Sequence, residues 1–124
     1  MYINQLILKK AISAHAQKQR IAEQNLVNAQ SLNGPNQNPY TREMVVFSQK
    51  DGIMQSKVIR AKNPYEYSLD PSHPYANEKG FVLKPKINKL IEGQDRTDAM
   101  QMKNTLFKII SNSYKEFKRF FDNI

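Results

Sequence analysis

The feature that most restricts the fold is a pair of long segments without Pro or Gly at the two ends of the chain. Tyr2 to Ala29 is rich in helix-forming residues and predicts one helix over residues 2–30. Its apolar residues recur every three or four positions, which places them on one narrow stripe. The same spacing returns from about Asp95 onward and predicts a second helix over 95–124. Two such helices are expected to pair as a coiled-coil-like hairpin.

The start of the second helix is predicted from local capping residues. Gly93 is interpreted as the break that precedes it. Asp95, Thr97 and Asp98 then offer acidic and hydroxyl groups that cap free backbone N–H groups and interact favourably with the helix dipole.

The segment over 31–94 differs in composition from both ends. Residues 31–39 are rich in Asn, Gly and Pro and predict a loop. Three short runs favour β-strands, namely Met44–Phe47, Val58–Ile59 and Phe81–Leu83. Asp51-Gly52 predicts a hairpin turn between the first two, and the prolines between Lys62 and Lys79 predict irregular backbone there. The predicted fold is mainly α with a small β insertion, consisting of a short antiparallel hairpin or sheet and an extended loop, in one unit over 1–124.

The net charge of the chain restricts the kinds of partner that it could bind but does not identify one. The 124 residues carry 19 Lys and Arg against 11 Asp and Glu, a net charge of +8, which admits nucleic acid, an anionic membrane or an acidic protein as partner. The basic residues are spread over the whole chain instead of forming one stripe, which argues against nucleic acid. A small basic nucleic-acid-binding module stays as the alternative function, and a membrane-surface anchor over Ile3 to Lys18 as a further one. No apolar run is long enough to predict direct membrane insertion.

The sequence offers no convergent set of reactive residues. Asp70, Ser72 and His73 are the residue types of a catalytic triad, but residues this close between two prolines point in different directions, so a rigid turn is the better interpretation. His15 and His73 are far apart, no acidic cluster adjoins them, and there is no Cys, so no metal site is predicted. The four glycines stand alone and form no phosphate-binding loop. We therefore predict no enzyme activity and no cofactor.

The two apolar stripes leave two interpretations open. The chain could be an autonomous helical hairpin, or it could be a subunit whose helices bury their remaining apolar faces against other subunits, which the exposed stripes favour. Asn25 and Asn28 are expected either to fix the register between neighbouring helices or simply to end the helix. The predicted assembly residues are Ile21, Ala22, Asn25, Leu26, Asn28, Ala29, Ala99, Met102, Leu106, Ile109, Ile110 and Phe117.

Two motifs resemble a known family. The run from Ile21 to Ala29, followed by Tyr40-Thr41-Arg42, is similar to the sequence that closes the first helix of bacterial flagellar rod proteins. The run from Tyr67 to Val82, followed by Pro85 to Asn88, is similar to a proline-bracketed stretch of the FlgC family of proximal rod proteins. The order and spacing of the motifs fit this family along nearly the whole chain.

The resemblance implies a structural subunit of the bacterial flagellar basal-body rod, which spans the periplasm and serves motility. Its implied partners are copies of itself and other rod proteins in a helical assembly, with no nucleic acid among them. It also implies secretion by the flagellar export apparatus, a type III system, without a cleaved signal peptide. The connector motif, Asp70, Pro71, Ser72, His73 and Pro74 with Gly80, is then expected to be a rigid link beside an adjacent subunit.

Overall fold

The computed structural model describes residues 5–35 and 37–123. The elements in chain order are α1 (Gln5–Val27), β1 (Glu43–Lys50), β2 (Ile53–Arg60), β3 (Tyr65–Leu69), β4 (Phe81–Pro85) and α2 (Lys89–Asp122). The predicted fold class, two long terminal helices around a small antiparallel β insertion, is confirmed. The parts of the helix predictions that fall on residues 1–4 and 124 lie outside the described residues.

The two helices run antiparallel and form most of the core. The end of α1 contacts the start of α2, where Arg96 Nε donates to Glu23 Oε1 at 3.0 Å. Hydrogen bonds from Gln19 and Arg96 lower the pKa of Glu23. The buried apolar residues of the pair, three of them alanines, are Leu8, Ala14, Ile21, Ala22 and Ala99.

Strands β1 and β2 form the predicted hairpin. They pair antiparallel from Glu43 opposite Arg60 to Lys50 opposite Ile53. The turn between them has positive φ at both central residues, 54° at Asp51 and 78° at Gly52, which matches the right-handed twist of the strands. The hairpin packs on α1, where the rings of Phe47 and His15 lie 5.1 Å apart.

The second sheet was only half predicted. β3 pairs antiparallel with β4, with Tyr65 opposite Pro85 and Leu69 opposite Phe81, although irregular backbone was expected from Lys62 to Lys79. The prediction was wrong at β3 because β4, the strand with which it pairs, follows only after a loop. The sequence between the two strands has no tight-turn motif that would indicate their pairing. The insertion therefore contains two separate two-stranded sheets.

The second helix begins earlier than predicted. Asn88 is its N-cap, and the Asn88 side chain accepts hydrogen bonds from the backbone N–H groups of Leu90 and Ile91. Gly93 lies inside the helix. The predictions that Gly93 precedes the helix and that Asp95 lies at its capped start were therefore wrong. α2 has 34 residues and is about 51 Å long, against about 35 Å for the 23 residues of α1.

Candidate assembly site

A buried polar cluster joins α1, β1 and α2. We call Asn25, Tyr40, Arg42, Glu43 and Glu92 the junction cluster. Asn25 and Glu92 are each 1% exposed, although Asn and Glu are usually found on the surface. Polar groups buried this deeply must be hydrogen-bonded to be tolerated.

The Asn25 amide uses its full hydrogen-bonding capacity. Its Nδ2 donates to the backbone carbonyl oxygen of Glu43 at 2.8 Å and to Glu92 Oε2 at 3.0 Å. Its Oδ1 accepts from the Tyr40 hydroxyl at 2.7 Å and from the Glu43 backbone N–H at 3.1 Å. Two donors and two acceptors are all that a carboxamide offers, so Asn25 fixes the start of β1 against both helices.

The charge of Glu92 is balanced within the cluster. Arg42 forms an ion pair with Glu92, and the carboxylate also lies in the first turn of α2, where the helix dipole favours a negative charge. Burial, together with the nearby carboxylates of Glu43 and Glu92, raises the pKa of Tyr40. Tyr40 therefore stays protonated at neutral pH and acts as the donor to Asn25.

Sequence reasoning found part of this cluster. Asn25, Tyr40 and Arg42 belong to the motif that resembles rod proteins, but nothing predicted that they meet. Glu92 was missed because it was assigned to the insertion. The capping Asn88, four residues earlier, was the available signal, since it places Glu92 in the first turn of a helix.

The predicted assembly residues divide into those that are buried in the chain and those that are exposed. Ile21, Ala22, Asn25, Ala29 and Ala99 are buried inside it. The Asn25 side chain makes all four of its hydrogen bonds within this chain, so its amide is not available to a neighbouring one. Those that keep some or much of their surface exposed are Leu26, Asn28, Leu106, Ile109, Ile110, Met102 and Phe117.

Asn28 has a local role in the structure. Its Nδ2 donates to the backbone carbonyl oxygen of Gln24 at 3.0 Å, and its Oδ1 accepts from the Ser31 hydroxyl at 3.0 Å. These bonds close the turn that follows α1, as expected of a residue that ends a helix.

The surface of α2 carries large apolar side chains that the rest of the chain does not cover. Leu90, Ile91, Met102, Phe107, Tyr114 and Phe121 are all at least two-fifths exposed. Large contiguous apolar patches on a protein surface usually mark an interaction site.

The connector motif forms a compact pair of turns. The Asp70 backbone N–H donates to the Gly80 carbonyl oxygen at 2.9 Å, and the His73 N–H to the Asp70 carbonyl oxygen at 3.1 Å. Ser72 Oγ donates to Asp70 Oδ1 at 3.2 Å, whereas His73 Nδ1 accepts from the Tyr75 backbone N–H at 2.9 Å. His73 thus uses this nitrogen to order the turn.

Gly80 is required by two features of its position. Its φ is +84°, a conformation that side chains disfavour. A Cβ at this position would also lie 3.1 Å from Pro71 Cγ. Glycine at position 80 therefore allows the backbone to pass close to Pro71 just before β4 begins.

Two negative findings apply to residues 5–35 and 37–123. Their His, Asp and Glu side chains form no group that could hold a metal ion. The helices in this part of the chain include none that is long and apolar enough to cross a membrane.

Comparison with known proteins decides the family. No family model matches this sequence. The flagellar basal-body rod protein FlgC of Buchnera aphidicola from Acyrthosiphon pisum is 32% identical over 95 residues, which cover 69% of this chain and 70% of that protein. The chain belongs to the FlgC family of flagellar basal-body rod proteins. The family predicted from the two motifs is thereby confirmed.

Other FlgC proteins give the same result. FlgC of Escherichia coli O6:H1 is 32% identical over 89 residues, and the match covers 66% of this chain and 66% of that protein, just under two thirds of its length. FlgC of Agrobacterium fabrum is 27% identical over 112 residues, which cover 84% of the chain and 81% of that protein. The junction cluster and the connector motif thus belong to a chain of the FlgC family, whose members are named for a place in the rod.

Proposed function

We propose that the chain is a structural subunit of the bacterial flagellar basal-body rod, where it assembles with copies of itself and with other rod proteins and carries out no reaction. The observation that carries the proposal is the match to FlgC proteins, at 32% identity over 70% of the length of one relative. The location that follows is the rod, which spans the periplasm, and delivery there by the flagellar type III export apparatus is part of the proposal.

The fold supports a role in which shape and stiffness matter. The junction cluster fastens the insertion to both helices through contacts between residues distant in sequence. A subunit held in this way can transmit torque as a rigid body. The exposed apolar side chains of α2 supply surface that other subunits would cover on assembly.

The remaining predicted assembly residues enter the proposal as contacts with neighbours. Met102 and Phe117 are exposed, and Leu106, Ile109 and Ile110 are partly exposed on the same helix. The connector motif is proposed to be a rigid link beside an adjacent subunit, because hydrogen bonds close its turns and Pro71, Ser72 and Pro74 are exposed.

The nucleic-acid-binding alternative gains no support. The relatives are named as rod proteins, and the basic residues are spread along the chain. A nucleic-acid interface would gather them on one face.

The test deletes the gene in the bacterium that encodes it and restores it on a plasmid. We expect the deletion to abolish swimming in soft agar and to remove the rod from purified basal bodies, and the plasmid to restore both. Intact rods in the deletion strain would contradict the proposal. Strong DNA binding by the purified chain that weakens steeply with salt would favour the alternative.

A further inference from the structure

Three exposed aromatic residues follow one line along the second half of α2. Phe107, Tyr114 and Phe121 are 51%, 60% and 57% exposed, and each lies seven positions after the one before. We call these three residues the aromatic stripe. None of them was among the predicted assembly residues.

A spacing of seven is typical of contact with another helix. Successive members of such a series drift by only about 20° around a helix, so the line stays on one side over several turns. A seven-residue apolar repeat is the pattern that packs against a neighbouring helix in a coiled coil. Each residue of the stripe keeps half or more of its surface exposed, so the stripe has surface to offer to a further helix.

The end of the stripe is held in place by its neighbours. The Phe121 ring packs on the ring of Phe117 at 4.7 Å and on that of Phe120 at 5.6 Å between centroids. Side chains fixed in this way lose little conformational entropy when a partner binds.

Charge identifies the kind of partner. Lys108 and Lys115 directly follow two members of the stripe, and Lys118 lies between the last two. Two acidic residues lie in the same stretch. Glu116 is two residues after Tyr114 and therefore on the opposite side of the helix, and Asp122 directly follows Phe121. A second copy of this chain, which carries a net charge of +8, would bring Lys close to Lys, whereas acidic residues beside the partner's apolar line would pair with them.

We propose that the aromatic stripe binds an amphipathic helix with acidic flanks, supplied by a protein other than a second copy of this chain. The inference rests on the proposed function, because the helix would belong to a neighbouring component of the same assembly. An anionic membrane is disfavoured as the occupant. A helix that lies on a membrane surface needs a broad apolar face. On α2 the polar residues Ser111 and Lys118 lie four residues after Phe107 and Tyr114, on the same side of the helix, and interrupt such a face.

The test uses the full chain and two synthetic helical peptides of about four heptads, with Leu at positions a and d and either Glu or Lys at e and g. We expect the Glu peptide to bind at least about tenfold more tightly than the Lys peptide, by fluorescence anisotropy, and to weaken as salt rises. Phe107→Ala with Tyr114→Ala should weaken that binding about tenfold or more. Leu90→Ala, which changes an exposed residue of the same helix outside the stripe, should leave it unchanged.

A second variant separates loss of binding from loss of folding. Lys115→Glu with Lys118→Glu keeps the aromatic stripe, and we expect it to reverse the preference, so that the Lys peptide binds more tightly. Equal binding of both peptides, self-association of the chain through the stripe, or stripe-dependent binding to anionic vesicles would each overturn the inference. If the gene deletion removes the rod while the peptides bind equally, the inference fails and the proposed function stands. If the deletion leaves the rod intact, the proposed function itself fails.

Discussion

The Asn25 amide nitrogen lies 3.0 Å from Glu92 Oε2 although the two residues are 67 positions apart. This contact joins the end of the first helix to the first turn of the second. Both side chains are almost completely buried, so their hydrogen bonds are made in a region where an unmade bond is costly.

Replacing Asn25 by Ala should destabilise the folded chain by about 2–4 kcal/mol, because Tyr40, Glu92 and the start of β1 lose their partner inside the protein. Urea unfolding followed by circular dichroism measures the change in the free energy of unfolding. Asn28→Ala is the matched control, since Asn28 bonds only within its own turn, and should cost about 1 kcal/mol or less. Equal losses for the two variants would show that the cluster does not hold the elements together.

Arg42 and Glu92 should be strongly coupled in a double-mutant cycle. Arg42→Met leaves a buried carboxylate without its cation and should cost about 3–5 kcal/mol. Adding Glu92→Gln removes that charge. The loss of stability in the double variant should therefore be smaller than the sum of the two single losses by about 1–3 kcal/mol. The Arg96–Glu23 pair, whose side chains are 45% and 43% exposed, is the control and should couple by less than about 1 kcal/mol. A coupling for the buried pair no larger than this would contradict the prediction.

These contacts also mark how far the sequence could predict the structure. The hairpin followed from Asp51-Gly52, because the turn lies between adjacent strands and local chemistry specifies it. The start of α2 was missed because Gly93 was given more weight than the capping Asn88. A helix tolerates one glycine at a cost of about 1 kcal/mol, and tertiary packing against α1 offsets it. The partners of Asn25 could not be predicted, since they come from two other elements and only the fold brings them together.

Gly80→Ala should destabilise the chain by more than Gly52→Ala. Both glycines have positive φ, +84° and +78°, but a Cβ at Gly80 meets Pro71 whereas one at Gly52 has no atom within 4 Å. We expect about 1 kcal/mol for Gly52→Ala and about 2–3 kcal/mol for Gly80→Ala, measured by thermal unfolding. In a Pro71→Gly background, which removes both the Cγ at 3.1 Å and the Cβ at 3.3 Å, the two costs should become similar. If they still differ, the contact with Pro71 is not the cause.

Protonation of His15 should lower the stability of the folded chain. Burial, and to a smaller extent the nearby charge of Lys18, lowers the pKa of His15 from its ordinary 6.5. The unfolded chain then binds the proton more readily, so the free energy of unfolding decreases as the pH falls from above 6.5 to the lowered value, and this dependence ends below it. Nuclear magnetic resonance titration of His15 in native chain and in urea checks the direction. His15→Gln should remove this contribution, and an unchanged pH dependence in that variant would contradict it.

Met102 is proposed to contribute to assembly much more than to folding. Met102 is 45% exposed, so Met102→Asp should lower the free energy of unfolding of the purified chain by only about 1 kcal/mol, through the lost partial burial and the lower helix propensity of Asp. In the cell the same change should abolish swimming, because a charge would be buried without a partner at the proposed contact with a neighbouring subunit. Leu26→Asp and Leu106→Asp should also abolish swimming, but these residues are partly buried and their variants should lose stability as well. Gln101→Asp, next to Met102 and also exposed, is the control for added charge. Normal swimming with Met102→Asp would show that Met102 is not part of the assembly surface.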